Sequence, residues 1–131
     1  MSIYLITGGA GFIGSNIAAR LVKNKEQVRI IDNFSTGKME NIAEFSNELE
    51  IIEADIFNID AVKEAVKGVD YVLHQAALPS VARSVTDPIR ANEVNITGTL
   101  NILVAARDAG VKRVVYASSS SAYGDTPTLP K

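Results

Sequence analysis

Apolar residues recur along this chain in two alternating rhythms. Short runs of strand length, such as Ile3-Tyr4-Leu5-Ile6, Val28-Arg29-Ile30-Ile31 and Tyr71-Val72-Leu73, are separated by stretches whose apolar positions repeat at helical spacing. Strands are expected over 2–7, 27–32, 50–54, 69–74 and 112–117. Ile13, Ile17, Ala18 and Leu21 share one face of a helix expected over 12–24. A second helix, 59–66, has Asn58 or Asp60 as its cap and Gly68 as its stop. A third is opened by Asp87-Pro88, runs to about Ala109 and ends at Gly110. Strand and helix alternate throughout, which predicts an α/β fold: a parallel sheet with helices on both faces and right-handed crossovers, in the strand order 3-2-1-4-5.

The turn after the first strand carries the most specific chemistry. Thr7-Gly8-Gly9-Ala10-Gly11-Phe12-Ile13-Gly14 contains G-x-G-x-x-G (Gly9, Gly11, Gly14) and its G-x-x-G-x-x-G variant (Gly8, Gly11, Gly14). Glycines there let the backbone approach a pyrophosphate, which a side chain at Gly8, Gly11 or Gly14 would obstruct. The helix that follows aims free amides and its positive dipole end at the same place. Asp32 ends the second strand, 18 positions beyond Gly14. There its carboxylate can accept both hydroxyls of an adenosine ribose and would repel a 2′-phosphate, so NAD is favoured over NADP. Asn33-Phe34-Ser35-Thr36-Gly37 follows without an arginine, and Lys38 alone offers a positive charge, in agreement with NAD. The fold expected is therefore a doubly wound sheet of the Rossmann type.

Composition narrows the function classes. A length of 131 residues suits one domain, and 47% hydrophobic with 21% charged residues is ordinary for a globular protein. The net charge of −2 gives no field for nucleic acid or an anionic membrane. Without cysteine, neither a disulfide nor thiol chemistry is available, and with a single histidine a structural zinc site is not expected. No basic leader or long apolar run is present, so a cytoplasmic location is expected.

Ligands of such sheets bind at the carboxyl ends of the strands, and every one of those ends is small or polar here. They carry the glycines, Asp32, Asp55-Ile56, His74-Gln75-Ala76-Ala77-Leu78-Pro79-Ser80 and Ser118-Ser119-Ser120-Ser121. Each also has a structural reading. Asp55 serves as a turn residue about as readily as a ligand contact, and His74 reads as a satisfied strand-end histidine rather than a base.

Taken in order, the glycine turn, Asp55-Ile56, His74-Gln75-Ala76-Ala77, Asn95 within Val94-Asn95-Ile96-Thr97-Gly98-Thr99-Leu100, and Ser118 to Asp125 resemble the extended short-chain dehydrogenase/reductases over the whole chain. Within that family the chain is similar to the UDP-hexose 4-epimerases, through Leu78-Pro79-Ser80-Val81-Ala82-Arg83-Ser84 and Tyr123-Gly124-Asp125-Thr126-Pro127. Nucleotide-sugar 4,6-dehydratases carry Thr-Asp-Glu where this chain has Ser119-Ser120-Ser121. The resemblance implies NAD as cofactor and a UDP-sugar substrate, inverted at C4 through a 4-keto intermediate. Gly8, Gly11, Phe12, Ile13, Gly14, Asp32, Asn33, Ser35, Thr36, Gly37, Asp55, Ile56, Gln75, Ala76, Ala77 and Asn95 match positions that contact NAD. Ser119 matches the catalytic serine, with Ser120 and Ser121 as candidate helpers. Ser80 and Arg83 are candidates near the sugar or diphosphate, and no metal is implied.

The chain departs from the pattern at one point. The family's base is the tyrosine of a Tyr-x-x-x-Lys pair, and here the residues four positions after Tyr4, Tyr71, Tyr116 and Tyr123 are Gly8, Gln75, Ser120 and Pro127. The expectation is an incomplete NAD-binding domain over 1–131, without its substrate domain and without turnover by itself. Ile89, Ile96, Leu100 and Leu103 lie on one side of the third helix and Ile102, Ala105, Ala106 and Ala109 on another. In the family a corresponding helix forms a dimer interface, so the resemblance implies a homodimer of the complete protein. Two alternatives stand beside the epimerase: another NAD-dependent dehydrogenase or reductase of the family, and a non-catalytic NAD-binding module.

Overall fold

The structure is a computed structural model that describes residues 1–77 and 85–118. Five strands, β1 (Ile3–Thr7), β2 (Gln27–Asp32), β3 (Leu49–Glu53), β4 (Tyr71–His74) and β5 (Arg113–Tyr116), form one sheet in the order β3-β2-β1-β4-β5. Every pairing is parallel, as the alternation of elements requires. The register brings Thr7 opposite Ile31 on one side and His74 on the other, with His74 opposite Tyr116. The chain reverses direction across the sheet between β1 and β4, which is where such sheets open a ligand crevice.

Side chains alternate across the strands and divide the core into two layers. On one face Leu5, Ile31 and Val72 pack with Val62 and Ala65 of α2 (Ile59–Ala65) and with Ile102, Ala105 and Ala106 of α4 (Gly98–Ala109). On the other face Ile6, Val28 and Ile30 pack with Ala10, Ile42 and Ala18 of α1 (Phe12–Lys23). Ile17 and Leu21 join this layer as expected. Ile13 does not: its side chain is 60% exposed, because it sits at the helix mouth beyond the edge of the layer.

The caps follow local chemistry. Asn58 accepts from the amides of Asp60 and Ala61, which settles the cap of α2, and Asp87 accepts from Arg90 N ahead of α3 (Pro88–Asn92). Gly110 closes α4 in the left-handed region at φ 74°. Two features were not legible in the pattern. The crossover from β2 to β3 contains two 3₁₀ turns, Met39–Asn41 and Ala43–Glu48, too short for an apolar stripe and anchored by the buried Ile42. The helix expected to run evenly from Pro88 is interrupted by a π turn, Glu93–Thr97, between α3 and α4.

The two sides of α4 separate in part: Ile102, Ala105 and Ala106 are buried, whereas Leu100 and Leu103 are exposed, as are Ile96 of the π turn and Ile89 of α3, but Ala109, grouped with Ile102 in the sequence, is exposed at the helix end. Among the described residues, no helix is long and apolar enough to cross a membrane.

Candidate dinucleotide-binding site

The glycine turn is held by its own backbone. Gly8 is left-handed (φ 69°), its amide donates to Ile31 O and its carbonyl accepts from Gly11 N, at 2.9 and 3.1 Å. A Cβ on Gly14 would lie 2.2 Å from Gly8 O, and one on Gly9 would lie 2.4 Å from Ile30 Cγ2. A Cβ on Gly8 would meet the Ala76 backbone at 3.0 Å. Gly8 and Gly14 were expected to be glycine for the sake of a phosphate. Instead the folded chain itself excludes a side chain at both. At Gly11 the only near neighbour among the described residues is Gly8 O at 3.3 Å, so a Cβ there would meet little else of them. Gly11 begins α1 with no side-chain cap and no acidic residue follows in the first turn. Free helix amides facing open space suit an anion.

Asp32 is nearly buried and ties the turn to the next strand. Its Oδ2 accepts the Ala10 amide at 2.9 Å and its Oδ1 accepts the Phe34 amide at 2.8 Å. Each carboxylate oxygen has room for a further donor, so the geometry still fits a ribose diol. The following segment straps across the turn: Lys38 N and Asn41 Nδ2 both donate to Ala10 O, at 3.0 and 2.8 Å. Gly37 fits beneath because a Cβ there would meet Ala10 C and Asp32 Oδ2 at 2.9 Å.

Two clefts open at the carboxyl end of the sheet. The first, about 530 Å³, is lined by Gly8, Asp32, Asn33, Ser35, Thr36, Asp55, Ile56, Gln75, Ala76 and Ala77, joined by Ile31, Ala54 and Val94. The second, about 1210 Å³, is lined by Ile13, Gln75, Ala76, Ala77 and Asn95, with His74, Thr99, Tyr116, Ala117 and Ser118. Loop 75–77 is common to both, so the pair forms a continuous furrow across the switch point, suited to a two-part ligand. Gly11, Phe12, Gly14 and Gly37 line neither cleft, and Phe12 is 82% exposed. Ser80, Arg83, Ser119, Ser120 and Ser121 lie outside the described residues.

Asp55 stands at the outer end of the first cleft. Burial pushes its carboxyl up, but the Phe57 amide, the Arg90 guanidinium and Asn33 outweigh this and hold it below the usual carboxylate range. Arg90 also contacts Glu93 at 3.4 Å. Arg90 was not singled out in the sequence, where nothing local marks a partner 35 residues away.

His74 is buried in the wall of the second cleft. Its Nδ1 lies 2.7 Å from Thr7 Oγ1 and its Nε2 lies 2.9 Å from Thr99 Oγ1. Burial pushes its imidazole down to about 4, so it is neutral at pH 7. That agrees with a satisfied strand-end histidine rather than a base. Thr7 and Thr99, which bind it, were missed: Thr7 signals itself only as the last residue of β1, and Thr99, in the first turn of α4, carries no local signal. Among the described residues no cluster of three or more His, Asp or Glu side chains could hold a metal ion.

A parallel sheet with a glycine turn, a strand-end carboxylate and a divided cleft at its switch point defines a nucleotide-binding α/β protein. Residues 4–131 match the NAD dependent epimerase/dehydratase family, and the chain belongs to it. The chain is 41% identical over 128 residues to a putative UDP-glucose 4-epimerase of Methanocaldococcus jannaschii, covering 96% of this chain and 41% of that protein. It is 43% identical over 120 residues to a UDP-N-acetyl-alpha-D-glucosaminuronate decarboxylase of Bacillus cytotoxicus, covering 92% of this chain and 37% of that one. Its fold matches a UDP-glucose 4-epimerase from Stenotrophomonas maltophila with bound NAD and formylated UDP-arabinopyranose, at a TM-score of 0.90 and 31% identity, over all of this chain and 41% of that one. The chain thus spans about two fifths of the length of these relatives.

Proposed function

We propose that the complete protein is an NAD-dependent nucleotide-sugar epimerase that inverts C4 of a UDP-hexose through a 4-keto intermediate. The observation that supports it most is the furrow across the switch point. Ten of the residues matched to NAD contacts line its first cleft, and loop 75–77 carries the furrow on toward the end of β5. NAD, when bound, supplies hydride exchange at C4. Asp32 holds the adenosine ribose, and the open side of Gly11 admits the diphosphate. Ser119, placed just after β5 by sequence, donates to the C4 oxygen as charge develops there, with Ser120 and Ser121 beside it. Ser80 and Arg83 contact the sugar or diphosphate. The general base is the tyrosine of a Tyr-x-x-x-Lys pair, which these 131 residues do not contain. This chain alone therefore lacks turnover, since a missing general base typically costs about 10²–10⁴-fold. The complete protein is a cytoplasmic homodimer joined through the exposed side of α4.

The deciding experiment supplies UDP-glucose and UDP-N-acetylglucosamine to the full-length protein as its gene encodes it. Interconversion with the C4 epimer, without net reduced nicotinamide, is expected, and Ser119→Ala is expected to lower turnover about 10²–10³-fold. Net NADH formation would indicate a dehydrogenase. A decarboxylase is the second reading, favoured by the 43% identity to the Bacillus protein, and carbon dioxide release from a UDP-uronic acid would establish it. NAD binding with no turnover of any of these sugars would leave a non-catalytic NAD module.

A further inference from the structure

The hydrogen bonds around His74 have only one consistent direction. Thr7 is fully buried, and its Oγ1 accepts the amides of Gln75 and Ala76, both at 3.0 Å. A hydroxyl has two lone pairs and one proton. Gln75 N–H is shared with Thr7 O at 3.2 Å, and with two amides directed at Oγ1 the acceptor within reach of the Thr7 hydroxyl proton is Nδ1 of His74, 2.7 Å away. Nδ1 is therefore the acceptor and Nε2 carries the ring proton. Nε2–H then donates to Thr99 Oγ1 at 2.9 Å, and Thr99 donates in turn to Asn95 O at 2.9 Å. No buried side-chain nitrogen or oxygen among the described residues is left without a partner.

The ends of this chain of bonds fall on the furrow. One end fixes Gln75 and Ala76, in the loop shared by both clefts, and the other grips Asn95, inside the π turn that borders the second cleft. A π turn has a looser ladder than an α-helix and commonly marks a functional position. The Thr99 hydroxyl supplies that turn with a fixed contact.

We propose that Thr7, His74 and Thr99 form a proton-ordered brace that positions loop 75–77 and the Asn95 turn around the second cleft, to receive the nicotinamide half of the dinucleotide. The three are positioning residues, acting on the ligand only through loop and turn. The inference rests on the dinucleotide reading of the furrow and adds which residues set its second half. It implies that damage to the Thr99 end weakens NAD without weakening AMP, because AMP needs only the first cleft.

The test compares the full-length protein with Thr99→Val and Thr99→Ser, measuring NAD and AMP affinity by calorimetry and the His74 ring nitrogens by ¹⁵N NMR. Valine leaves the Nε2–H donor without the Thr99 hydroxyl and removes that hydroxyl's bond to the Asn95 carbonyl, and serine restores both. NAD affinity is expected to fall about tenfold in Thr99→Val and to stay within about twofold in Thr99→Ser. AMP affinity is expected to hold in both variants, which a general loss of stability would not allow. In the parent protein the proton is expected on Nε2 at neutral pH, a measurement independent of whether any variant folds. Unchanged NAD affinity in Thr99→Val, equal loss of AMP, or a proton on Nδ1 would each overturn the brace. A parent protein that binds no NAD would fail the dinucleotide reading, and the brace with it.

Discussion

Asp32 and Ala10 are joined across the first crossover, the carboxylate Oδ2 accepting the Ala10 amide at 2.9 Å in a nearly buried setting. The acid expected from the sequence to meet a ribose therefore fastens the glycine turn to the end of β2. A hydrogen bond to a charged group contributes about 1.5–3 kcal/mol, and an amide left buried without a partner costs a similar amount. Asp32→Ala is expected to lower stability by about 2 kcal/mol as well as to weaken NAD binding more than tenfold. Asp32→Asn keeps one acceptor oxygen and is expected to lose less stability while accepting NADP more readily. Thermal unfolding beside calorimetry with both cofactors checks this, and an Asp32→Ala protein as stable as the parent would refute the structural half.

Gly14 and Gly11 differ in what excludes a side chain. Gly14→Ala would place a Cβ 2.2 Å from Gly8 O, a backbone atom that cannot move without breaking the turn. It is expected to cost more than about 3 kcal/mol, at or beyond the upper end of overpacking. Among the described residues Gly11→Ala meets only a 3.3 Å neighbour, and it is expected to remain far closer to the parent in unfolding temperature, while losing NAD affinity. Equal unfolding temperatures for the two variants would refute the distinction.

Stability is expected to follow the His74 imidazole between pH 6.5 and 4. Burial lowers its folded pKa from 6.5 to about 4, so in that window the unfolded chain binds more protons than the folded one. Stability therefore falls as the pH is lowered from 6.5, by roughly 3 kcal/mol over the window, and rises again as the pH returns. His74→Gln removes the titrating group and is expected to flatten this part of the curve. Chemical denaturation of both proteins across the window measures the difference, and parallel curves would show that His74 does not titrate there.

Leu100 tests the proposed dimer. It is 57% exposed on the side of α4 away from the core, in line with Ile96 and Leu103. Leu100→Glu in the full-length protein is expected to convert a dimer into a monomer with NAD affinity retained, as sedimentation equilibrium would show. A parent protein already monomeric at micromolar concentration would remove the dimer.

The sequence by itself determined the five strands, their order, the glycine turn, Asp32 at the end of β2 and the cap at Asp87, and left the cap of α2 between Asn58 and Asp60 for the structure to settle. These rest on features a few residues apart: a two-residue or helical period, a turn glycine, a side chain that reaches the next amides. Tertiary structure alone decided why Gly9 and Gly14 must be glycine, since their obstacles are Ile30 and the Gly8 carbonyl once the turn has closed. It also decided the Asp55–Arg90 pair and the link from Thr7 through His74 to Thr99, whose members stand 35, 67 and 25 residues apart. The direction of such bonds depends on which lone pairs the folded backbone has already taken, and no local pattern of residue types carries that information.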